Sequence, residues 1–360
     1  LNTVDDIGSD HYSSQILKKV LREQDLTEAN YDQVLKKVTA SNLIPVVNPL
    51  TDYFKELPKW DGKDHIGALS DTIEIEDLES SEVDVNMLWK KSLRKFLIST
   101  VATAVSNKAG QLCLILTGSQ GKGKSTWLNN LCPDSLKANY LFQGGLIPKI
   151  TEKATVEVLA EKLIVNLDDQ LDGYTWREYE GLKSIITSTT LTSRKAYARN
   201  DANRPRRASI VASINNPNFL VDTQNRRYLV FTAENIDYQT KIDMDQVYAQ
   251  ALALYQTGER YWLNNAEQEE LNKMNARYRM ATMEEELVAQ YLTPADEDDV
   301  NVKWLTSTEI KSKFEIHSSL KNLSLRLIGL SLTRAGFTRK NKTTDGKSYG
   351  VYKWGVITKV

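Results

Sequence analysis

Sulfur and histidine are scarce in this chain, and neither sign of charge is in excess. Its 360 residues hold two cysteines, Cys113 and Cys132. Two thiols cannot build a disulfide framework, which fits a reducing, cytoplasmic setting. The three histidines, His11, His65 and His317, lie far apart, and with so few cysteines they argue against a structural zinc site. No apolar run approaches the ~18–20 residues that cross a bilayer, so no membrane span is expected. The opening LNTVDDIGSD has neither a basic start nor an apolar block and does not read as a secretory signal. It also begins without Met, so the chain is read as a fragment of a longer protein. Forty-six basic residues against 47 acidic ones leave a net charge of -1. Any contact with nucleic acid must therefore come from local basic patches.

What is present is a sizeable apolar complement, 41% of a chain long enough for two or three domains. Residues 1–43 are polar with helical apolar spacing (Ile16, Leu17, Val20, Leu21; then Tyr31, Val34, Leu35, Val38). IPVVNP at 44–49 ends that run, and a short helix with Leu50, Tyr53, Phe54 and Leu57 on one face follows. The acid-rich stretch 71–84 reads as a solvated loop or exposed helix face. Residues 86–107 read as an amphipathic helix. From 111 to 232 short apolar runs alternate with helical stretches: LCLIL at 112–116, KLIVNL at 162–167, ASIVASI at 208–214 and RYLVFT at 227–232. That alternation predicts an α/β sheet flanked by helices.

The first of these runs is followed by TGSQGKGKSTWLNNL. Gly118, Gly123, Lys124 and Ser125 match G-x-x-x-x-G-K-[ST], with Gly121 as a third glycine. Glycines let backbone N–H groups turn inward around a phosphate. The candidate phosphate-binding set is Gly118, Ser119, Gln120, Gly121, Lys122, Gly123, Lys124, Ser125 and Thr126. Lys124 would neutralise the β- and γ-phosphates of ATP, and Ser125 would ligate Mg²⁺. The next apolar run, LIVNLDD, ends in Asp168 and Asp169. One would hold Mg²⁺, with Asp168 assigned that role, and the other would orient water as a base; the plain alternative is a turn with two solvated acids. Asn215 ends the third run and suits contact with a γ-phosphate, or else a turn before Pro217. Arg226 and Arg227 precede the fourth run and would either reach a neighbouring subunit's nucleotide or make a local ion pair.

This order of motifs resembles superfamily 3 helicases, a branch of the AAA+ ATPases, and more closely the virulence-associated E family of phage and mobile-element replication proteins. Further stretches carry the likeness: NPLTDYFKELPKWDGK at 48–63, LKSIITS at 182–188, SRKAYAR at 193–199, PRRASIVASINNPNFL at 205–220, NRRYLVF at 225–231 and VYAQALALYQTGERYWL at 247–263. Gln224 departs from the family's usual Gly, and Asp168-Asp169 from a pair ending in Glu. The resemblance implies a ring-forming, hexameric, NTP-driven DNA helicase, whose relatives often carry a primase domain further N-terminal.

Two basic stretches are candidate DNA contacts. Residues 194–207 hold Arg194, Lys195, Arg199, Arg204, Arg206 and Arg207, with Tyr197 inside the run. The resemblance makes this insertion a hairpin in the ring pore, where Arg194, Lys195, Tyr197 and Arg199 would hold single-stranded or forked DNA. Arg206 and Arg207 are ranked lower, because the nucleotide side of the loop is an alternative place for them. Residues 302–358 read as a winged helix: Thr306 and Glu309 form a capping box, a second helix spans 318–335, and two strands flank the turn Asp345-Gly346. Arg339, Lys340, Lys342 and Lys347 crowd that turn.

The expected organisation is an N-terminal helical region and candidate ring collar at 1–87, an AAA+-like P-loop core of α/β class at 88–235, a helical segment at 236–293, a linker at 294–300 and a winged helix at 301–360. The expected activity is ATP hydrolysis driving DNA unwinding. The rival is an NTP-dependent, DNA-binding loader or regulator that does not unwind.

Overall fold

The structure is a computed structural model that describes residues 49–77, 83–106, 108, 110–146, 152–193, 202–220, 226–295, 298–318, 320–343 and 350–358. The helices expected within residues 1–43 lie outside the described residues. The chain divides into two compact units, Leu1–Glu56 and Leu57–Val360. In the first, helix α1 (Pro49–Glu56) buries Leu50 and Phe54.

The second unit is built on a six-stranded, mostly parallel sheet. Its strands are β1 (Ile73–Ile75), β2 (Cys113–Thr117), β3 (Leu141–Gln143), β4 (Ile164–Asp168), β7 (Ser209–Ile214) and β8 (Tyr228–Ile236), ordered β1-β8-β2-β7-β4-β3. Strands β2 and β7 are buried along their whole length, which is why their sequences run continuously apolar instead of alternating. Helices α2 (His65–Ser70), α3 (Val85–Val105), α4 (Lys124–Asn130), α5 (Asp134–Tyr140), α6 (Lys153–Glu161) and α7 (Trp176–Thr187) accompany the strands. After β8 come α8 (Met244–Gln256) and α9 (Asn265–Asn275). Helix α3 buries polar Ser92, Ser99, Thr100 and Thr103 beside its apolar residues, so it is enclosed on nearly every side.

Within the acid-rich stretch, residues Ile73–Ile75 form a strand instead of the expected loop or exposed helix. Ile73 and Ile75 point into the core with Glu74 outward, and β1 pairs antiparallel with the far end of β8. Asp84 caps α3 by accepting from Met87 N at 2.8 Å, and Asp71 pairs with Lys90 at 2.7 Å. The sheet thus begins at Ile73, before the expected core boundary at 88. Strands β5 (Thr190–Ser193) and β6 (Ala202–Pro205) form a separate antiparallel pair, the stem that brackets residues 194–201.

A four-stranded sheet lies toward the C-terminus. Its long strand β12 (Gly350–Thr358) pairs with β9 (Leu292–Pro294), β10 (Lys303–Leu305) and β11 (Arg339–Thr343). Helices α10 (Met283–Tyr291), α11 (Ser307–His317) and α12 (Leu325–Arg334) pack on it around Leu287, Ile310, Phe314, Ile328, Leu332 and Trp354. Helix α10 therefore packs with the C-terminal sheet, and Pro294, the first residue of the expected linker, is part of β9. The capping box Thr306–Glu309 is present. The second helix starts at Leu325 and not at 318, because Asn322 takes a left-handed φ of 70° and Ser324 caps the helix that follows. Leu330, expected on its apolar face, is 39% exposed.

Glu285 on α10 accepts from Arg279 at 2.5 Å and from Arg334 on α12 at 2.6 Å. Burial pushes its carboxyl up, but the hydrogen bonds from the two arginines outweigh that and hold it below its ordinary 4.5. A lowered folded-state pKa stabilises the fold above the unfolded value and stops doing so as pH falls through the folded one. Glu285→Gln should therefore lower stability at about pH 7, with the gap to the parent narrowing toward about pH 3. Urea unfolding at both pH values checks this, and a gap unchanged by pH refutes it.

Candidate functional site

Strands β2, β4 and β7 are neighbours and parallel, so their carboxyl ends converge. Each ends in a residue singled out by the sequence. Beyond β2, Gly118, Gly121 and Gly123 take φ of 136°, 83° and 83°, and the loop feeds directly into α4 at Lys124. These left-handed values are what make glycine necessary there. The far end of β8 lies alongside. A Cβ at Gly118 would stand 2.7 Å from the Ala233 carbonyl, and Lys122 Nζ donates to the Glu234 carbonyl at 2.5 Å. A Cβ at Gly123 would stand 2.2 Å from the Tyr238 ring.

Lys124 is only 5% exposed. Its Nζ donates to the carbonyls of Gly118 (2.8 Å) and Ser119 (2.9 Å) and to Asn215 Oδ1 (3.0 Å). Burial pulls its pKa down, while the charges of Asp169 and Asp168 pull it back up. Asn215 Nδ2 in turn donates to Asp169 Oδ1 at 3.0 Å. The amide thus bridges the lysine and the second acid, and the neighbouring Asn216 closes the turn instead, accepting from Asn218 N. Asp169 has a left-handed φ of 50°, held by its N–H to the Ser213 carbonyl at 3.0 Å. Asp168 has a different set of partners: Ser125 Oγ and Ser213 Oγ both donate to its Oδ1. The result is a compact group of hard oxygen donors beside an ammonium group.

Ser213 was not legible as a site residue, since it sits within the apolar run of β7; its one signal is a hydroxyl facing Asp168 in register. The polar Asn166 in β4 is matched by Asn129 on α4, whose Oδ1 accepts from Asn166 Nδ2 at 2.8 Å.

Arg226 and Arg227 lie at the opposite end of the sheet. The Arg227 carbonyl accepts from Cys113 N at the start of β2, whereas the glycine loop follows the end of β2. Five strand residues at ~3.3 Å each separate them, roughly 16 Å. Both arginines line a cleft of about 320 Å³ with Tyr261 and Trp262, and Arg227 Nε is buried without a hydrogen-bond partner among the described residues.

Arg206 and Arg207 do not face the glycine loop, contrary to expectation. Arg206 is buried and donates to the carbonyls of Ser188, Ala208, Gly110 and Ile186. Burial lowers its pKa to about 10, which leaves it charged at neutrality. Arg207 donates to the Ala104 carbonyl near the end of α3. Both are structural ties to helix carboxyl ends. Arg194, Lys195, Tyr197 and Arg199 lie outside the described residues, as does Lys347. Arg339, Lys340 and Lys342 lie on β11, where the Arg339 guanidinium sits 5.6 Å from the Trp354 ring centre. Among the described residues no cluster of His, Cys, Asp and Glu forms a metal centre, and no helix is long and apolar enough to cross a membrane.

A family model described as the virulence-associated protein E-like domain matches residues 54–280. No curated protein matches the chain. Among solved structures, the apo structure of the NrS-1 C-terminal region (305–718) is 13% identical, covering 86% of this chain and 78% of that one, with a TM-score of 0.42. The A form apo structure of the same region has the same identity and coverage and a TM-score of 0.43.

The loop conformation generates a simple test. Gly123→Ala puts a Cβ on a left-handed residue and against the Tyr238 ring, so it should cost about 1–3 kcal/mol of stability. Equilibrium denaturation that finds no loss would show that the loop relaxes freely.

Proposed function

We propose that this chain, which belongs to the virulence-associated protein E-like family, is an ATP-dependent, ring-forming DNA helicase. The carrying observation is the convergence of Lys124, Ser125, Asp168, Asp169, Ser213 and Asn215 at the carboxyl ends of three adjacent strands. That is the arrangement expected of an AAA+-like P-loop core, with the C-terminal sheet and its three helices as the winged helix.

The residues fit ATP and Mg²⁺. At Gly118 and Gly123 the left-handed backbone and the close approach of Ala233 and Tyr238 require glycine, and a loop of that conformation can turn its backbone N–H groups toward a phosphate. Ser125 and Asp168 are hard oxygen donors suited to Mg²⁺. Bound there, the ion would offset charge on the phosphate oxygens. Lys124 would exchange its two loop carbonyls for phosphate oxygens. Asp169 would accept the proton of the attacking water, and Asn215 would hold Asp169 at the correct distance from Lys124. Arg226 and Arg227 lie at the other end of β2 from that site within their own chain. Their distance from it supports the reading that they act on a neighbouring subunit's nucleotide, with an effect of roughly 10³–10⁵ in rate.

The β5–β6 stem supports the pore-hairpin reading of Arg194, Lys195, Tyr197 and Arg199 as contacts to single-stranded or forked DNA. Arg339, Lys340, Lys342 and Lys347 are assigned to duplex DNA. A cytoplasmic setting, a hexameric ring and a primase domain or partner belong to the same proposal.

Two experiments test it. Lys124→Ala and Arg227→Ala should each abolish ATP hydrolysis, and mixing the two inactive proteins should restore part of it, because some interfaces then pair an intact loop with an intact arginine. Mixed assemblies that form yet stay inactive at every ratio would refute the in-trans role. Separately, neutralising Arg194 and Lys195 together should weaken single-strand binding and flatten its salt dependence, since fewer counterions are released. Unchanged affinity in that double variant would move the DNA site elsewhere.

A further inference from the structure

Beside the glycine loop lies a cavity of about 450 Å³ that none of the roles above uses. Its size falls within the roughly 300–1,000 Å³ of small-molecule sites. Trp127 and Asn130 on α4 form one wall, and the segment after β8, including Tyr238 and Met244, forms another. The cavity is therefore continuous with the helix that starts at Lys124. We infer that it receives the nucleoside half of the nucleotide whose phosphates the loop holds, with the base against the Tyr238 ring. The inference rests on the reading of Gly118–Ser125 as the phosphate site.

Three observations carry it. The first is where Tyr238 sits. Its ring covers Gly123 so closely that a single added methyl would collide with it, yet the residue remains 39% exposed and lines the cavity. An aromatic ring at the border between a phosphate loop and a cavity is placed to touch whatever joins the two. The second is how the ring is held. Asp237 accepts from Gln239 N, Thr240 N and Thr240 Oγ1, and its own N–H bonds the Thr72 carbonyl at 2.8 Å. These bonds fix the turn that presents Tyr238. The third is charge. Around the cavity Lys137 and Asp134 offset each other as an ion pair, and Asp237, Asp243 and Asp245 outnumber Lys241. Such a wall repels phosphates and suits the N–H and O–H groups of a base and ribose. The buried Lys124 attracts the opposite end of the same molecule. The two regions therefore sort a nucleotide by its ends.

Calorimetric titration with a non-hydrolysable ATP analogue and with inorganic tripolyphosphate, both with Mg²⁺, separates the two halves. Stacking on an aromatic side chain is worth ~1–3 kcal/mol per base, so Tyr238→Ala should weaken the analogue by roughly 10- to 100-fold. Tripolyphosphate has no base, and its affinity should hold within about threefold, less than the stacking effect. Tyr238→Phe should behave as the parent. Ser135→Trp, at an exposed position on the cavity rim, should also weaken the analogue alone. If Tyr238→Ala and Ser135→Trp both bind the analogue as the parent does, the nucleoside site is wrong while the phosphate site stands. If Tyr238→Ala weakens both ligands equally, the tyrosine merely props the loop and the inference fails. If the parent binds neither ligand, the phosphate-loop reading itself falls.

Discussion

One buried ammonium group sets the terms for this fold. Lys124 is taken almost completely out of water, and a charge in that position is tolerated only when oxygens surround it. Those oxygens come from two carbonyls of its own loop and from Asn215, with Asp168 and Asp169 behind. Meeting that need fixes much else. Strands β2, β4 and β7 must be parallel neighbours that end at one height, and the loop after β2 must fold back through left-handed residues. The far end of β8, carried beyond β2 and stitched by β1, gives the loop a surface to lie on. The short edge strand matters for that reason and adds little to the core by itself.

The sheet has two ends with opposite character. At the carboxyl end the strands present acids and an amide around the lysine. At the amino end lie four arginines, and the two pairs differ. Arg206 and Arg207 are satisfied by backbone carbonyls and tie α7 and α3 to the sheet. Among the described residues Arg227 Nε is buried with no partner beside an open cleft, and Arg226 is exposed next to it. Two Arg-Arg dipeptides preceding parallel strands thus look alike in sequence. Only their surroundings show that one pair is structural and the other still has bonding capacity to offer.

Much of this was legible in the sequence, for identifiable reasons. Fully buried parallel strands must be apolar throughout, so β2, β4, β7 and β8 stand out as runs. Positive-φ loops need glycine, so the loop after β2 carries its own spacing. A polar residue closing an apolar run invites attention, and Asn215, Asp168 and Asp169 stand out for that reason. The rest was hidden because its signal lies in space. Strand β1 offers only two inward residues within an acidic stretch. Ser213 is small enough to pass inside an apolar run. Tyr238 is one of 16 tyrosines, and nothing in its neighbours announces that it rests on Gly123. The start of α12 depended on the turn at Asn322, which periodicity does not register. The virulence-associated E resemblance correctly named the family, since it drew on motifs from both sides of the loop.

The path of the chain between the second acid and the amide links the site to the β5–β6 stem. From Asp169 the chain runs through α7 into β5, returns along β6 and enters β7, which Asn215 follows; the two ends are then joined by the 3.0 Å Asn215–Asp169 bond. Everything between them is a loop closed on itself at the site. At the foot of the stem Arg206 bonds the carbonyls of Ile186 and Ser188 on the incoming side and Ala208 on the outgoing side, while its N–H bonds the Thr189 carbonyl. A guanidinium that bonds both feet of a hairpin removes the freedom of the stem to swivel by itself. The stem is thereby tied to the end of α7 on one side and to the start of β7 on the other. The buried Arg206, which takes no part in the site, is what joins the two feet of the stem.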